Sequence, residues 1–209
     1  MDQHIIVTIS REYGSGGHGI GKRLAEKLGV PFYDRESIEQ YANEHREQPV
    51  NTDWLSENNL RSREQSAFAG LGAFGPGIDL NTELFLRQAN ALWDLSKQGP
   101  CVIVGRSADF ILQNRPHTYR FFISSQMQRR LRHIKSNPKD YDAATKKEAR
   151  DILRMDKKRA SYYNYYTGQI WGKASNYDLC IDSGKLGPRT VDFLYDFIQQ
   201  CEAAYEEEN

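Results

Sequence analysis

A glycine-rich segment near the start of the chain has the residue types of a phosphate-binding loop. Its members are Gly14, Ser15, Gly16, Gly17, His18 and Gly19. Residues 5–10 before it are apolar and β-branched, as in a buried strand, and Ile20 and Leu24 after it lie one helical turn apart. Between a strand and a helix, backbone N–H groups of glycines and of the first helical turn can share one anion. We therefore predict that this loop binds phosphate; a turn that is only flexible is the alternative.

Lys22 is the nearest lysine to this loop, but its spacing does not place it there. The pattern G-x-x-x-x-G-K-S/T fits residues 16–22, with Arg23 where Ser or Thr is required. That register also puts Ile20 in the loop, whereas its spacing to Leu24 assigns it to the helix. Lys22 then lies on the opposite, solvent-facing side of the helix. A surface lysine is therefore the favoured interpretation.

Arginines are concentrated in two later segments of the chain. The first contains Arg129, Arg130 and Arg132, and the second contains Arg150, Arg154 and Arg159. A planar guanidinium group binds phosphate oxygens in pairs and keeps its charge, so we predict a lid that covers bound phosphates. Arg150 and Arg154 share one helix face, whereas Arg159 faces largely away from Arg150. A solvated basic helix paired with Glu148 and Asp151 is the alternative.

The elements that must position these residues are predicted from apolar runs. Strands are expected at residues 5–10, 30–33, 101–104, 119–123 and 177–181, and helices at 18–29, 80–98 and 188–205. Strands separated by helices indicate an α/β fold of three layers, in which a five-stranded parallel sheet lies between helices on both faces.

Two polar segments are too long for plain loops, and we interpret them as insertions at the carboxyl edge of the sheet, where ligands bind in such folds. Residues 35–85 form the first and include a glycine-rich loop at 70–77. Residues 126–170 form the second, which is mostly helical, and its tyrosines at 162–166 are expected to pack onto the core.

The composition limits the classes of function. A chain of 209 residues fits one domain, since a domain typically takes about 150 residues. Basic and acidic residues number 28 each, and this balance argues against nucleic acids or membrane surfaces as general partners. No apolar run approaches the roughly 18 residues of a membrane span. The three cysteines suit reduced thiols in the cytoplasm better than a disulfide framework.

Two opening segments, ISREYGSGG and IGKRLAEKLGVPFYDRE, resemble the cytidylate-kinase-like family of P-loop proteins, a branch of the nucleoside monophosphate kinases. The later segments YYNYYTG, WGK and NYDLCIDS are also similar, so the resemblance covers nearly the whole chain. Laid on the family's loop without gaps, Gly17 falls where the phosphate-binding Lys is expected and Gly19 where the metal-binding Thr is expected. The positive charge of that lysine would then be supplied by Arg11, His18 or Lys22. The metal would then be bound by Ser10, Ser15 or an acidic residue.

The resemblance implies further site residues. Those assigned to catalysis are Arg11, His18, Lys22, Arg129 and Arg159. Those assigned to the phosphoryl acceptor are Asp34, Arg35, Arg106 and Asp109. Asp34 and Arg106 also follow strands at the ligand edge of the predicted sheet. For Asp34 the alternative is a plain helix N-cap, and for Arg106 it is a helix cap or an ion pair with Asp109.

The activity that the resemblance implies is ATP-dependent and uses Mg²⁺. A phosphoryl group would move to a nucleoside monophosphate or a similar small phosphate acceptor. The partners would be nucleotide substrates, not nucleic acid or membrane, and a homo-oligomer is compatible with the sequence. Because of the departure at Gly17, the alternative is a nucleotide-binding sensor or an interaction protein with the kinase fold and little turnover. No residue pattern identifies the base.

Overall fold

Five strands form one parallel sheet in the part of the chain that the computed structural model describes, which is residues 5–46, 80–138, 141 and 148–208. They are β1 (Ile6–Arg11), β2 (Phe32–Tyr33), β3 (Cys101–Val104), β4 (Thr118–Ser124) and β5 (Leu179–Asp182). The order β2-β3-β1-β4-β5 places β1 in the centre, where Ile9 lies opposite Val104 on one side and Phe121 on the other. The carboxyl ends of all five strands therefore meet at one edge.

Helices follow or precede each strand. They are α1 (Gly17–Leu28), α2 (Arg35–Glu44), α3 (Leu80–Lys97), α4 (Ala108–Ile111), α5 (Met127–Ser136), α6 (Ala149–Thr167), α7 (Ser183–Leu186) and α8 (Thr190–Glu208). Short 3₁₀ turns span Ala174–Asn176 and Gly187–Arg189. Within the described ranges, none of the helices combines the length and apolarity that crossing a membrane requires.

The strands have a separate hydrophobic core on each face because successive side chains point to opposite sides of the sheet. Ile6 and Ile103 pack with Leu92 of α3 on one face. Val7 packs with Leu24 of α1 on the other. Strands that are buried on both faces carry continuous apolar runs, which is why those runs were readable in the sequence. The predicted three-layer α/β fold is confirmed.

The last predicted strand differs from the structure in its bounds. The last strand was expected at 177–181 but begins at Leu179, because the Tyr177 ring packs against Phe122 with centroids 5.1 Å apart and Asp178 accepts a hydrogen bond from the backbone N–H of Arg120. In the described part of the segment at 126–170, α5 ends at Ser136 and α6 begins at Ala149, as expected for a mostly helical segment. The glycine-rich loop expected at 70–77 lies outside the described residues.

The tyrosines of α6 join the segment to the core, as expected for all but one of them. Tyr163 and Tyr166 are buried, and the Tyr166 ring stacks on Phe85 with centroids 4.2 Å apart. Tyr165 is the exception, since 74% of it is exposed. The second half of α6 is thus part of the packed body of the protein.

Candidate phosphate-binding site

The loop between β1 and α1 has the backbone shape that its glycines permit. Gly14 and Gly16 have φ angles of +84° and +79°, in the left-handed region that other residues adopt only with strain. A Cβ atom on Gly14 would also lie 2.8 Å from Cδ1 of Ile134 in α5. Both the backbone angle and the close approach of α5 therefore require glycine at position 14.

The first turn of α1 supplies backbone donors beside this loop. Gly17, His18 and Gly19 are its first three residues, so their N–H groups have no acceptor within the helix. The helix dipole adds about half a positive charge at the same end. The loop and this turn line a cavity of about 890 Å³. One wall of the cavity is therefore suited to an anion such as phosphate.

Helices α5 and α6 hold the loop in place through Tyr13. The Tyr13 N–H donates to Asp156 Oδ1 at 2.7 Å, and the Tyr13 carbonyl accepts from Arg130 Nε at 2.7 Å. Arg130 also pairs with the Asp156 carboxylate and is only 4% exposed. The expectation that Arg130 belongs to a lid over phosphates is therefore wrong: it is a buried support of the loop, because two acceptors on the body of the protein bind it.

Ser15 is tied to the protein on both sides. Its hydroxyl donates to the Glu12 carbonyl at 2.9 Å, and its own carbonyl accepts from the Ser183 hydroxyl at 2.7 Å. The Glu12 carboxylate accepts from the Ser125 N–H at 2.9 Å. The Ser15 hydroxyl gives its proton to the loop, but this donation does not use the lone pairs of its oxygen, and the residue lines the cavity, so Ser15 stays a predicted metal ligand. These bonds fix the shape of the loop without any ligand.

Arginines from two helices face the loop across the cavity. Arg129 and Arg132 of α5 and Arg159 of α6 line it. Arg159 Nη1 donates to the Arg11 carbonyl at 2.8 Å, and its guanidinium carbon lies 5.3 Å from the centre of the Tyr13 ring. Burial lowers the pKa of Arg159, and Asp156 opposes this effect. The structure therefore brings these three of the predicted arginines together around the phosphate loop.

Three other cations that were predicted for the phosphate site lie outside the cavity. Arg150 is exposed and only 3.9 Å from Glu148, while Arg154 is exposed and pairs with Asp151 at 3.2 Å, so the solvated-helix alternative holds for both. Lys22 is exposed and does not line the cavity, because it lies on the outer face of α1. These residues do not reach the site that the sequence assigned to them.

Arg11 is the last residue of β1 and lines the cavity. Burial, with the nearby charges of Arg159 and Arg106, lowers the pKa of Arg11 to about 9, while Asp34 opposes the shift. The guanidinium group keeps its charge at neutral pH, and the direction of the shift reflects its partial removal from water and the positive charges nearby. An anion bound in the cavity would oppose that shift.

Asp34 serves as a helix cap and also lines the cavity. Its Oδ1 accepts the Ser37 N–H at 3.1 Å and the Ser37 hydroxyl accepts the Asp34 N–H at 2.8 Å, which forms a capping box at the start of α2. Its Oδ2 lies 3.0 Å from Nε2 of His18. Burial alone would raise the pKa of Asp34, but the bonds to His18 and Ser37 outweigh it and lower the pKa.

The predicted acceptor residues divide into two groups. Arg35 lines the cavity with Asp34 and pairs with Glu39 at 3.0 Å. Arg106 does not line it, and its side chain pairs with Glu39 rather than with Asp109. Asp109 is buried, accepts the Ser10 hydroxyl at 3.0 Å, and has its pKa raised by burial. Arg106 and Asp109 are thus not brought to this cavity with Asp34 and Arg35, and their assignment to the acceptor stays a prediction.

Sequence reasoning missed several residues of the cavity, of which His133 is the most informative. Its imidazole would lie 3.3 Å from a Cβ atom on Gly16, so it covers the tip of the loop. His133 follows Arg129 by four residues and therefore shares its helix face, a signal that the sequence does contain. Glu12 and Ser183 also line the cavity, but no periodicity marks them.

The described residues contain no cluster of three histidine, cysteine, aspartate or glutamate side chains that would hold a metal ion on its own. Acidic side chains at the cavity are those of Glu12, Asp34 and Glu36. Ser10 is buried beneath the sheet edge, bonded to Asp109, and does not line the cavity. Mg²⁺ commonly takes one or two carboxylates together with substrate phosphates and water, and this donor set fits that pattern.

A family model matches residues 6–185, which run from the first residue of β1 into α7. The chain belongs to the Cytidylate kinase-like family. The match includes the glycine loop, α5 and α6, whereas the cavity-lining residues Gly187 and Pro188 lie just beyond it. Among the curated proteins, none matches this family member significantly.

Solved structures place this family member among the P-loop kinase folds. An uncharacterized protein from Eubacterium ventriosum is 26% identical, with a TM-score of 0.67 over 95% of this chain and 99% of that one. Shikimate kinase from Bacteroides thetaiotaomicron is 16% identical, with a TM-score of 0.51 over 97% of this chain and 98% of that one. At that identity the second comparison shows the fold alone.

Proposed function

We propose that this protein is an ATP-dependent phosphotransferase that moves a phosphoryl group to a nucleoside monophosphate or a similar small phosphate acceptor. One observation carries the proposal. A preorganised glycine loop at the N-terminus of α1 shares a single cavity with Arg129, Arg132 and Arg159, which come from two other helices. Membership in a kinase-like family supports a phosphotransferase of the P-loop kinase kind.

The residues of this cavity match what phosphoryl transfer requires. An acceptor oxygen bonds to the γ-phosphorus while the bond to the bridging oxygen breaks, and ADP leaves with the electron pair. Negative charge spreads over the three equatorial oxygens, so catalysis depends on positioning and on nearby positive charge. The loop N–H groups would hold the donor phosphates. Arg129, Arg132 and Arg159 would stabilise the charge on the transferred group.

The acceptor side of the cavity is assigned to Asp34 and Arg35. Arg35 offers a cation for the acceptor phosphate, and Asp34 offers a carboxylate for a base, a sugar hydroxyl or a metal-bound water. Glu12, Asp34 and Glu36 would complete the coordination of a Mg²⁺ ion that neutralises the donor phosphates. Cytidine as the preferred base follows from the family resemblance. Three free cysteines suit a reducing compartment such as the cytoplasm.

The experiment that tests the proposal combines thermal denaturation with turnover. Melting curves are recorded with Mg-ATP, with each nucleoside monophosphate, and with the pairs, and ADP release is then measured. A ligand at about 100 times its Kd stabilises a protein by about 2.7 kcal/mol. For a chain of this size that raises Tm by roughly 5–10 °C. We expect a rise with Mg-ATP, a further rise with one monophosphate, and ADP release with that pair.

Two other outcomes are informative. A rise with ATP but no ADP release with any acceptor would favour a nucleotide sensor. No rise with any nucleotide would contradict the assignment of the cavity to nucleotides. Gly16→Val provides the control, because its side chain would meet His133 and force the left-handed residue into strain, so the ATP-dependent rise should disappear in that variant.

A further inference from the structure

Arg11 runs through a slot between two glycines. A Cβ atom on Gly17 would lie 2.6 Å from Cβ and 3.0 Å from Cγ of Arg11. A Cβ atom on Gly105 would overlap Nη1 and lie 3.1 Å from Cζ of the same side chain. Close-packed interiors do not accommodate such overlaps without displacement. The slot therefore fits one long side chain, and that side chain comes from β1.

The wall at Gly105 is built from strained backbone. Gly105, Arg106 and Ser107 are three consecutive residues with positive φ angles, of 89°, 56° and 55°. Two of them carry side chains, for which this conformation is uncommon. Strain of this kind persists where the surrounding structure requires it, and it occurs often at ligand sites. Here it places Gly105 directly against the Arg11 guanidinium group.

The Arg11 charge has no carboxylate partner in the described part of the chain. Its neighbour Arg106 pairs with Glu39, and the Asp156 carboxylate binds Arg130. Arg11 is half-buried and lies near two other cations, Arg106 and Arg159, with Asp34 as the opposing acidic charge, and such a concentration of positive charge is costly unless a further counter-charge is present. Arg11 lines the same cavity as the glycine loop, so the counter-charge that fits is an anion held by that loop.

We propose that Arg11 takes the place of the missing loop lysine, so that its guanidinium group binds the phosphates held by the glycine loop. The inference rests on the proposed function, in which those are the β- and γ-phosphates of ATP. The cation enters from the end of β1 instead of from α1, and the glycine at position 17 is required because Arg11 occupies the space of a side chain there.

The other two candidates for this role are placed differently. His18 is bonded to Asp34 through Nε2, at 3.0 Å, so its ring is directed to the acceptor side. Lys22 is exposed on α1 and does not line the cavity. Of the three cations that the sequence left open, only Arg11 lies beside the first turn of α1 without a carboxylate partner among the described residues.

The first test measures anion binding, which needs no turnover. Inorganic tripolyphosphate and ATP are titrated calorimetrically into the wild-type protein, Arg11→Met and Arg11→Lys. Methionine keeps an unbranched apolar side chain in place of the arginine stem and removes the charge, while lysine keeps the charge. We expect Arg11→Met to weaken both ligands by about tenfold to a hundredfold, as for loss of a hydrogen bond to a charged group. Arg11→Lys should recover part of that loss.

The second test moves the charge to the position of the usual lysine. Gly17→Lys alone should lower Tm and anion affinity, because the new side chain meets Arg11. In the double variant Arg11→Gly/Gly17→Lys, the slot is empty and the lysine can enter it. This variant should bind tripolyphosphate more tightly than its matched control, Arg11→Gly. This comparison between the double variant and Arg11→Gly does not depend on the folding of Arg11→Met, since both of the proteins compared lack the arginine.

The outcomes separate this inference from the proposed function. Equal affinity of Arg11→Met and wild type for both ligands overturns the role of Arg11, whether or not the wild type is a kinase. Tripolyphosphate binding that depends on Arg11, with no ATP turnover, upholds the role of Arg11 and rejects the kinase. If Arg11→Gly/Gly17→Lys binds tripolyphosphate no more tightly than Arg11→Gly, this contradicts the inference that Arg11 takes the place of a lysine at position 17. Failure of the wild type to bind either anion overturns both proposals.

Discussion

At the scale of single residues, a side chain that stabilises the fold can also line the cavity. Asp34 caps α2 through Oδ1 and presents Oδ2 to His18, so one carboxylate links the acceptor side to the first turn of α1. Substitutions of Asp34 must therefore distinguish the loss of the helix cap from the loss of the negative charge. Asparagine caps helices about as well as aspartate, whereas alanine does not.

We predict that Asp34→Ala lowers the free energy of unfolding by about 1 kcal/mol, the usual cost of a lost N-cap. Asp34→Asn should keep most of that stability but bind the acceptor more weakly. Because the pKa of Asp34 lies below its ordinary value of 3.8, its charge stabilises the fold above pH 3.8 and ceases to do so as the pH falls through the lowered pKa. Urea unfolding at several pH values and acceptor titration measure both effects. Equal loss of stability in the two variants would contradict the capping role.

How far these residues could be predicted depends on how local their signals are. The glycine loop and the cap at Asp34 are marked by neighbouring residues: the structure places the loop between β1 and α1, and it shows the helix cap that was the alternative prediction for Asp34. Arg130 could not be told from Arg129 by type, because their difference is the partly buried Asp156 carboxylate that binds Arg130, 26 residues away along the chain. The slot of Arg11 was equally unpredictable, since Gly17 and Gly105 meet only after the sheet has formed.

At the scale of elements, α5 and α6 each perform two tasks, α5 with two faces and α6 with two neighbouring residues of one face. One face of α5 buries Arg130 and Ile134 behind the loop, while Arg129 and His133 face the cavity. Helix α6 binds the Tyr13 N–H through Asp156 and, one turn later, places Arg159 over the Tyr13 ring. Their apolar and basic periodicities predicted helices, but not which arginine each packing surface would bury.

We predict that Arg159→Ala lowers kcat/KM for phosphoryl transfer by about tenfold to a thousandfold, as for other groups that stabilise transition-state charge. The variant should keep much of the affinity for ADP, because the loop N–H groups remain. Lys158→Ala is the matched control: this neighbouring cation on α6 is exposed and outside the cavity, and turnover should not change. Steady-state kinetics measure the ratio. If both variants lose activity equally, general electrostatics of α6, and not the position of Arg159, would be responsible.

At the scale of the whole molecule, the charge is balanced overall but not locally. The chain has 28 basic and 28 acidic residues, yet six arginines and only three acidic residues line the cavity. The composition therefore predicted the absence of a general basic surface. It could not predict the basic cavity, because Arg11, Arg129 and Arg159 are far apart in the sequence and are brought together by the β1–β4 pairing and the packing of α6 on the loop.

This separation of local from overall charge predicts a particular response to salt. Raising the ionic strength from about 0.05 M to about 0.5 M shortens the screening length severalfold, so the affinity for ATP should fall severalfold. Duplex DNA should show no binding at about 0.15 M salt, because a neutral protein gains little from releasing counterions. Titrations of fluorescent ATP and labelled duplex over the same salt series measure both. DNA binding as tight as ATP binding would contradict a cavity-confined charge, whereas ATP affinity that is independent of salt would show that the arginines do not determine it.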